Sequence, residues 1–273
     1  MEMYGKMTKI FVATFNRASD GALSKLIFKM KEENIYTDNY KEADYILAPG
    51  DRLETFDFVL KRFRENKDII HLWAGEISKG THDEVYRHSI TLMSMMQLCT
   101  NPNAHSRVNK LFEIVGGKSN AYTVGNLMYD NLEIEEDEVP AVTYDLILYN
   151  PPTMLRESDM IIELELIEKM ISGHKYIWIK PNGDKGSEIV MPYTNEDNLP
   201  RPKFLGLLKN CDRFITNSSC QYYEAPYLIK NSKNIISIGI RNSKRESKYS
   251  DMSIPNATES VMKILRSLCL QVV

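Results

Sequence analysis

The 273-residue sequence predicts an α/β protein of two doubly wound parallel-sheet domains facing a cleft. Three observations predict it. Short apolar runs alternate with longer amphipathic stretches along nearly the whole chain. The apolar runs mostly lack polar alternation, as strands buried on both faces do. One acidic stretch, EIEEDEVP at 133–140, breaks the alternation into two halves.

In the first half the expected strands are KIFVATF (9–15), DYILAPG (44–50), DIIHLWAG (68–75), MQLCT (96–100) and AYTVGN (121–126). In the second they are YDLILYN (144–150), KYIWIKP (175–181), RFITN (213–217) and NIISIGI (234–240). All are rich in Ile, Val, Leu and aromatic residues, which suit a buried pleated surface. Between them, 157–172 carries Ile161, Leu164, Ile167 and Ile171 at helical spacing, and Gly173 supplies a stop. The acidic stretch reads as the linker, with residues 1–138 before it and 139–255 after it as the two domains.

Composition narrows the function. Hydrophobic residues at 43% and charged residues at 26% exclude a disordered chain, a collagen-like repeat and a coiled coil. Lys+Arg 34 against Asp+Glu 37 gives a net charge of −3, which argues against a protein whose main partner is nucleic acid, although a local basic groove stays open. The four cysteines form no CxxC pair, and the histidines (His71, His82, His88, His105, His174) are not spaced as metal ligands. No metal and no cofactor is therefore expected. No apolar run approaches the length of a membrane span, so the expectation is a soluble cytoplasmic protein with no membrane partner.

Ligands of open parallel sheets bind outside the carboxyl ends of the strands. Those ends carry Gly50-Asp51, Gly75-Glu76, Gly125-Asn126, Asn150, Asn182-Gly183, Asn217-Ser218-Ser219 and Gly239-Ile240-Arg241. Turn geometry alone asks for such residues, but charged groups accompany several of them. In ITNSSCQYYEAP (215–226), Ser218 and Ser219 are expected to open a helix whose free N–H groups suit a phosphate. Glu224, further along, would then accept from ribose hydroxyls. A Ser218/Gln221 capping box is the structural alternative, and the two are compatible. Arg241, Lys244 and Arg245 suit a pyrophosphate or form a solvated basic loop, and Arg17 after the first strand is comparable. In 71–91, Glu76 follows a strand-ending glycine, and Asp83/Arg87 and Glu84/His88 are spaced (i, i+4), either as helix-surface ion pairs or as part of a set of carboxylates available for proton transfer; Thr81 and Glu84 have capping-box spacing. No GxSxG, P-loop, HExxH or GxGxxG occurs.

Taken in order, these pieces resemble the UDP-N-acetylglucosamine 2-epimerases, the hydrolysing members most of all. TFNRAS stands for their TGTRAD-like turn, with Arg17 in the arginine position. Gly50-Asp51-Arg52-Leu53-Glu54 stands for GDR-E. His71 with Ala74-Gly75-Glu76, then Asp83-Glu84, Arg87-His88, Ile90-Thr91 and Ser94, match the next signature. Gly125-Asn126 to Asp130, TNSSCQYYEAP and Ile238 to Arg245 complete the series.

The resemblance implies a glycosyltransferase-B-like pair of Rossmann-type domains, with 256–273 as a terminal helix closing on the first. It implies UDP held by Ser218, Ser219, Glu224 and Arg241, with Arg17, Asn150 and Asn182 beside the nucleotide sugar. Asp51 and Asp83 are the implied catalytic carboxylates, joined by Glu76 and His88. The activity implied is elimination of UDP from UDP-N-acetylglucosamine and addition of water to give N-acetylmannosamine. A homodimer is the assembly the family suggests. Three departures stand out. The chain is shorter between Arg17 and Gly50, where relatives carry additional βα units. Asn150 replaces a histidine, and Trp73 replaces a carboxylate, and neither transfers a proton. A glycosyltransferase, a nucleotide-sugar hydrolase or a non-catalytic binder on the same scaffold is the alternative.

Overall fold

A computed structural model describes residues 8–15, 17–78, 81–130, 132–137, 139–243 and 256–270, with side chains at 17–19 excepted. In chain order the first elements are β1 (Ile10–Val12), α1 (Arg17–Glu32), β2 (Tyr45–Pro49), α2 (Leu53–Arg64), β3 (Asp68–Leu72), α3 (Asp83–Met93), β4 (Met96–Cys99), α4 (Pro102–Ile114) and β5 (Ala121–Thr123). They continue with β6 (Asp145–Leu148), α5 (Glu157–Ile171), β7 (Tyr176–Ile179), α6 (Ser187–Val190), α7 (Arg201–Asn210), β8 (Arg213–Thr216), α8 (Ala225–Leu228), β9 (Ile235–Ser237) and α9 (Ala257–Leu270). Every predicted apolar run contains a strand, shorter than the run because its carboxyl-terminal residues leave the sheet.

The chain forms two compact units. The first takes the chain up to Glu76, Asp83 through β5, and α9; the second takes the residues around His82 and those from Leu132 through β9.

The first unit holds a parallel sheet in the order β1-β2-β3-β4-β5. Register aligns Val12 with Leu47, Leu47 with Ile70 and Ile70 with Met96. Between α1 and β2 the chain makes a parallel bridge: Tyr36 flanks Ile10 on the edge of β1 away from β2. Ile10 N donates to Ile35 O at 2.8 Å and Thr37 N to Ile10 O at 3.1 Å. The chain therefore winds outward through α1, returns, and winds the other way from β2. Right-handed crossovers in opposite directions put helices on opposite faces. Accordingly, α1 and α9 bury Leu23, Leu26, Met30, Val261, Met262 and Leu265 against Val12, Leu47, Ile70 and Leu98. On the other face α2 and α3 bury Val59 and Ile90 against Ile46, Ala48 and Ile69. The reversal lies between β1 and β2, so a ligand site belongs at their carboxyl ends.

The second unit's sheet runs β7-β6-β8-β9, all parallel. Its reversal falls between β6 and β8. Leu146 and Phe214 face Leu205 and Leu208 of α7, while Ile147 and Ile215 face Leu164 and Ile167 of α5. Alternate residues on one strand thus serve two separate cores, which is why these strands lack polar alternation. The acidic stretch lies across α7 in this unit. Glu135 N donates to Pro202 O at 3.1 Å, and Glu136 Oε1 accepts from Lys209 at 3.0 Å and Asn210 at 2.9 Å. The approach is close because Gly206 has no side chain: a Cβ there would lie 1.9 Å from Glu135 O.

All four cysteines are free thiols. Among the described residues no helix is long and apolar enough to cross a membrane, and no three His, Cys, Asp or Glu side chains group as a metal site.

Candidate functional site

In the first unit the site grows from the carboxyl ends of β2, β3 and β4. Gly50 ends β2 with φ +73°, which turns Asp51 out of the strand. Asp51 forms an ion pair with Arg87 of α3, whose side chain is 1% exposed. Arg87 also donates to Glu84 Oε2 at 2.9 Å and to the carbonyl of Glu76 at 3.1 Å. Glu84 in turn lies 3.3 Å from His88 Nε2, and His88 Nδ1 is buried without a hydrogen-bond partner among the described residues. The carboxylate of Glu76 is buried and accepts from the hydroxyl of Thr100, which itself accepts from Asn101 Nδ2 at 3.0 Å.

Arg87 therefore gathers three predicted residues: Asp51 and Glu76 directly, His88 through Glu84. Asp83, half-buried in the first turn of α3, makes no hydrogen bond or ion pair among the described residues. The (i, i+4) pairing of Asp83 with Arg87 is thus not formed. The buried guanidinium takes the carboxylate of the strand-end turn and, on its own helix, that of Glu84 at (i, i+3) in place of Asp83 at (i, i+4). The capping box at Thr81 is also absent, since Thr81 Oγ1 is buried without a partner among the described residues. Arg17 begins α1, and its side chain is outside the described residues.

Two strand-end features need special backbone. Gly75 has φ +75°, and a Cβ there would lie 2.2 Å from Ala104 O, so only glycine lets β3 pass α4 this closely. Trp73 adopts φ +65°, a conformation that costs a non-glycine residue of order 1–3 kcal/mol. Its indole N–H is buried without a partner among the described residues, and its ring lies against Gly50.

In the second unit the site sits at the reversal between β6 and β8. Asn150 N donates to Asn217 Oδ1 at 2.8 Å, and Asn217 Nδ2 donates back to Asn150 O at 2.7 Å. Asn182 N donates to Asn150 Oδ1 at 3.0 Å, and Asn242 Nδ2 to Asn217 O at 2.9 Å. The segments that follow four strands, β6 to β9, are thereby tied by amides. Arg241, buried beside them, donates to the carbonyl of Pro151 and lies 3.4 Å from Asp184 Oδ2. Asn150, Asn182 and Arg241 thus converge. Lys244 and Arg245 lie outside the described residues.

The Ser218–Glu224 segment differs from its expected form. No continuous helix extends from Ser218. A three-residue 3-10 turn at Ser219–Gln221 precedes the separate four-residue α8, and neither is long enough to sum a useful dipole. The Ser218/Gln221 capping box is not formed: Ser218 Oγ accepts from Cys220 N at 3.4 Å, and Gln221 Nε2 is buried without a partner among the described residues. Ser218 and Ser219 stay half-buried at the strand end, donors still available to an anion by type. Glu224, only 4% exposed, forms an ion pair with Arg201.

Arg201 and Thr100 were not read from the sequence. Arg201 had a signal: a cation at the first residue of a helix opposes the dipole and calls for a carboxylate partner. Thr100, in the common strand-end string Cys99-Thr100-Asn101, had none.

Two Rossmann-like parallel-sheet units, each with polar residues at its strand reversal, define a glycosyltransferase-B-like fold. The profile of the family described as UDP-N-acetylglucosamine 2-epimerase matches residues 11–271, and the chain belongs to that family. Among its relatives, a polysialic acid biosynthesis protein P7 of Escherichia coli is 27% identical over 244 residues, 81% of this chain and 61% of that protein. A UDP-N-acetylglucosamine 2-epimerase of Neisseria meningitidis serogroup B is 26% identical over 245 residues, 84% of this chain and 64% of that one. A hydrolysing GDP/UDP-N,N'-diacetylbacillosamine 2-epimerase of Campylobacter jejuni is 25% identical over 208 residues, 68% and 54% of the two chains. The chain thus spans less than two thirds of the length of each.

Solved structures share the fold. The UDP-N-acetylglucosamine 2-epimerase of Rickettsia bellii superposes with a TM-score of 0.69 at 12% identity, covering 97% of this chain and 98% of that one. The Neisseria meningitidis enzyme bound to UDP-GlcNAc does so with a TM-score of 0.64 at 12% identity, covering 95% and 99%.

Proposed function

We propose that the chain is a nucleotide-sugar enzyme of the hydrolysing type, converting UDP-N-acetylglucosamine to N-acetylmannosamine and UDP. The observation that carries this reading is the cluster around Arg87: it pairs with the Asp51 carboxylate after β2 and holds the carbonyl of Glu76 after the adjacent β3, beside the first unit's reversal. In this reading residues 1–138 supply proton transfer, 139–255 hold the nucleotide, and 256–273 close on the first domain. The enzyme works in the cytoplasm as a homodimer and uses no cofactor.

Elimination across C1–C2 needs a base for the C2 proton and positive charge for the departing pyrophosphate. Asp51 is the candidate base, with Arg87 holding its charged form in place. Asp83, without a protein partner among the described residues, and Glu76 serve the addition of water, and His88 lies within reach of their neighbour Glu84. Arg241, with Arg17, offers guanidinium groups to the phosphates, and Ser218 and Ser219 add hydroxyl donors. Glu224 accepts from the ribose once Arg201 shares it.

A second reading has one observation in its favour. The Oδ1 of Asn150 already accepts from Asn182 N, so Asn150 orders the turn and supplies no proton. A glycosyltransferase, a hydrolase or a binding protein needs no acid there. Proton NMR of UDP-N-acetylglucosamine with the protein in heavy water separates the two. Free UDP together with N-acetylmannosamine deuterated at C2 is the expected outcome. UDP that binds while the sugar signals stay unchanged would sink the epimerase reading.

A further inference from the structure

His71 lies outside the proton-transfer set, yet it touches both arms of it. Register places it between Ala48 of β2 and Gln97 of β4, on the face that α3 covers, and it is 0% exposed. Its Nε2 is 2.8 Å from the carbonyl of Gly50 and its Nδ1 is 2.9 Å from Thr91 Oγ1. A carbonyl oxygen only accepts, so Nε2 carries a hydrogen. The Thr91 hydroxyl has one hydrogen and two acceptors at 2.9 Å, His71 Nδ1 and the carbonyl of Arg87. With the ring neutral that hydrogen goes to Nδ1. With the ring charged it must turn to Arg87, and Nδ1 becomes the donor.

Burial settles which state holds. It pulls the His71 pKa down to about 4, the Gly50 carbonyl opposing and His88 assisting. The titratable and charged groups on the elements that hold it include Arg87 and His88 of α3 and Asp51 in the turn after β2. The two groups that His71 holds lead to one ion pair: Gly50 precedes Asp51, and the turn of α3 that Thr91 anchors carries Arg87.

We propose that His71, as the neutral Nε2–H imidazole, is a positioning residue that clamps the Asp51 turn and the Arg87 turn of α3 in register. Its catalytic consequence rests on Asp51 acting in proton transfer; the clamp itself does not. The test combines side-chain proton–nitrogen correlation spectra of the full chain with two variants. Spectra from about pH 5.5 to about pH 8 should show one neutral Nε2–H ring throughout. A glutamine amide reaches about as far as Nε2, whereas an asparagine amide stops near Nδ1. The carboxylate carbon signal of Asp51 should therefore move in His71→Asn and stay in His71→Gln.

With UDP-N-acetylglucosamine, His71→Asn should lower kcat by about tenfold to a hundredfold, since small misplacements of a reacting group cost that much. Affinity for UDP should stay within about twofold, and His71→Gln should restore most of kcat. A charged or Nδ1–H ring at neutral pH would overturn the clamp, as would an unmoved Asp51 signal in a folded His71→Asn. A wild-type chain that turns over no UDP-N-acetylglucosamine defeats the functional reading alone, and the spectra still decide the clamp.

Discussion

The imidazole of His71 is shut off from solvent, and a buried cation is disfavoured unless a counter-charge meets it. Both ring nitrogens here face uncharged oxygens. The folded chain thus resists protonating this ring down to about 4, while the unfolded chain takes the proton near 6.5. As pH falls through that window the unfolded state binds a proton that the native state refuses, so stability is lost between about 6.5 and about 4 and is fully present above it. A depression of this size corresponds to about 3 kcal/mol. Urea unfolding at the two ends of the window should show the loss in the wild type and a smaller one in His71→Gln, where that position has nothing to titrate. Equal slopes in both would mean that other groups carry the acid sensitivity. The residue-level partners of His71 were hidden in the sequence. Thr91 and Gly50 are twenty and twenty-one positions away, and only the parallel register of β2 with β3, together with α3 lying on that face, brings them together.

Strands and their carboxyl ends were legible because each is a local matter. Gly50, Asn150 and Asn217 mark strand ends by turn chemistry alone, and parallel strands announce themselves as unbroken apolar runs. The path of the chain beyond a strand end is less local. Ser218 carries every sign of a helix start, yet the chain makes only a 3-10 turn, because Pro226 and the buried Glu224–Arg201 pair place α8 separately. The acidic stretch 133–140 reads as the linker from composition, and its backbone at Glu135 lies on α7, a placement permitted by a glycine some seventy residues later. That dependence yields a test. Gly206→Ala puts a methyl group where Glu135 O now lies, so the stretch must lift and lose the bond from Glu135 N to Pro202 O. Alanine favours the helix itself, so α7 should survive. Hydrogen exchange at the Glu135 amide should quicken by at least about tenfold while amides within α7 keep their protection. Unchanged protection at Glu135 would show that α7 shifts to admit the methyl group.

The molecule as a whole divides into two units, and each holds one of its two tryptophans: Trp73 packs against the core of the first and Trp178 lies inside a core of the second. Two units need not melt together, so a single unfolding free energy is not assured for this chain. The arrangement permits the nucleotide's location to be read without any turnover. A ligand that binds only the folded form of one unit stabilises that unit by RT ln(1 + [L]/Kd), about 2.7 kcal/mol at a hundredfold excess over Kd. Fluorescence of Trp73→Phe then reports the second unit through Trp178, and fluorescence of Trp178→Phe reports the first through Trp73. If Ser218, Ser219 and Arg241 hold UDP, saturating UDP should raise the urea midpoint seen by Trp178 and leave that seen by Trp73 nearly in place. The shift should vanish in Arg241→Ala and persist in Asp51→Asn, because the carboxylate acts on the sugar and not on the nucleotide. A shift that appears at Trp73 alone would move the nucleotide to the first unit and reverse the division of labour. Equal shifts at both would mean that the units unfold as one.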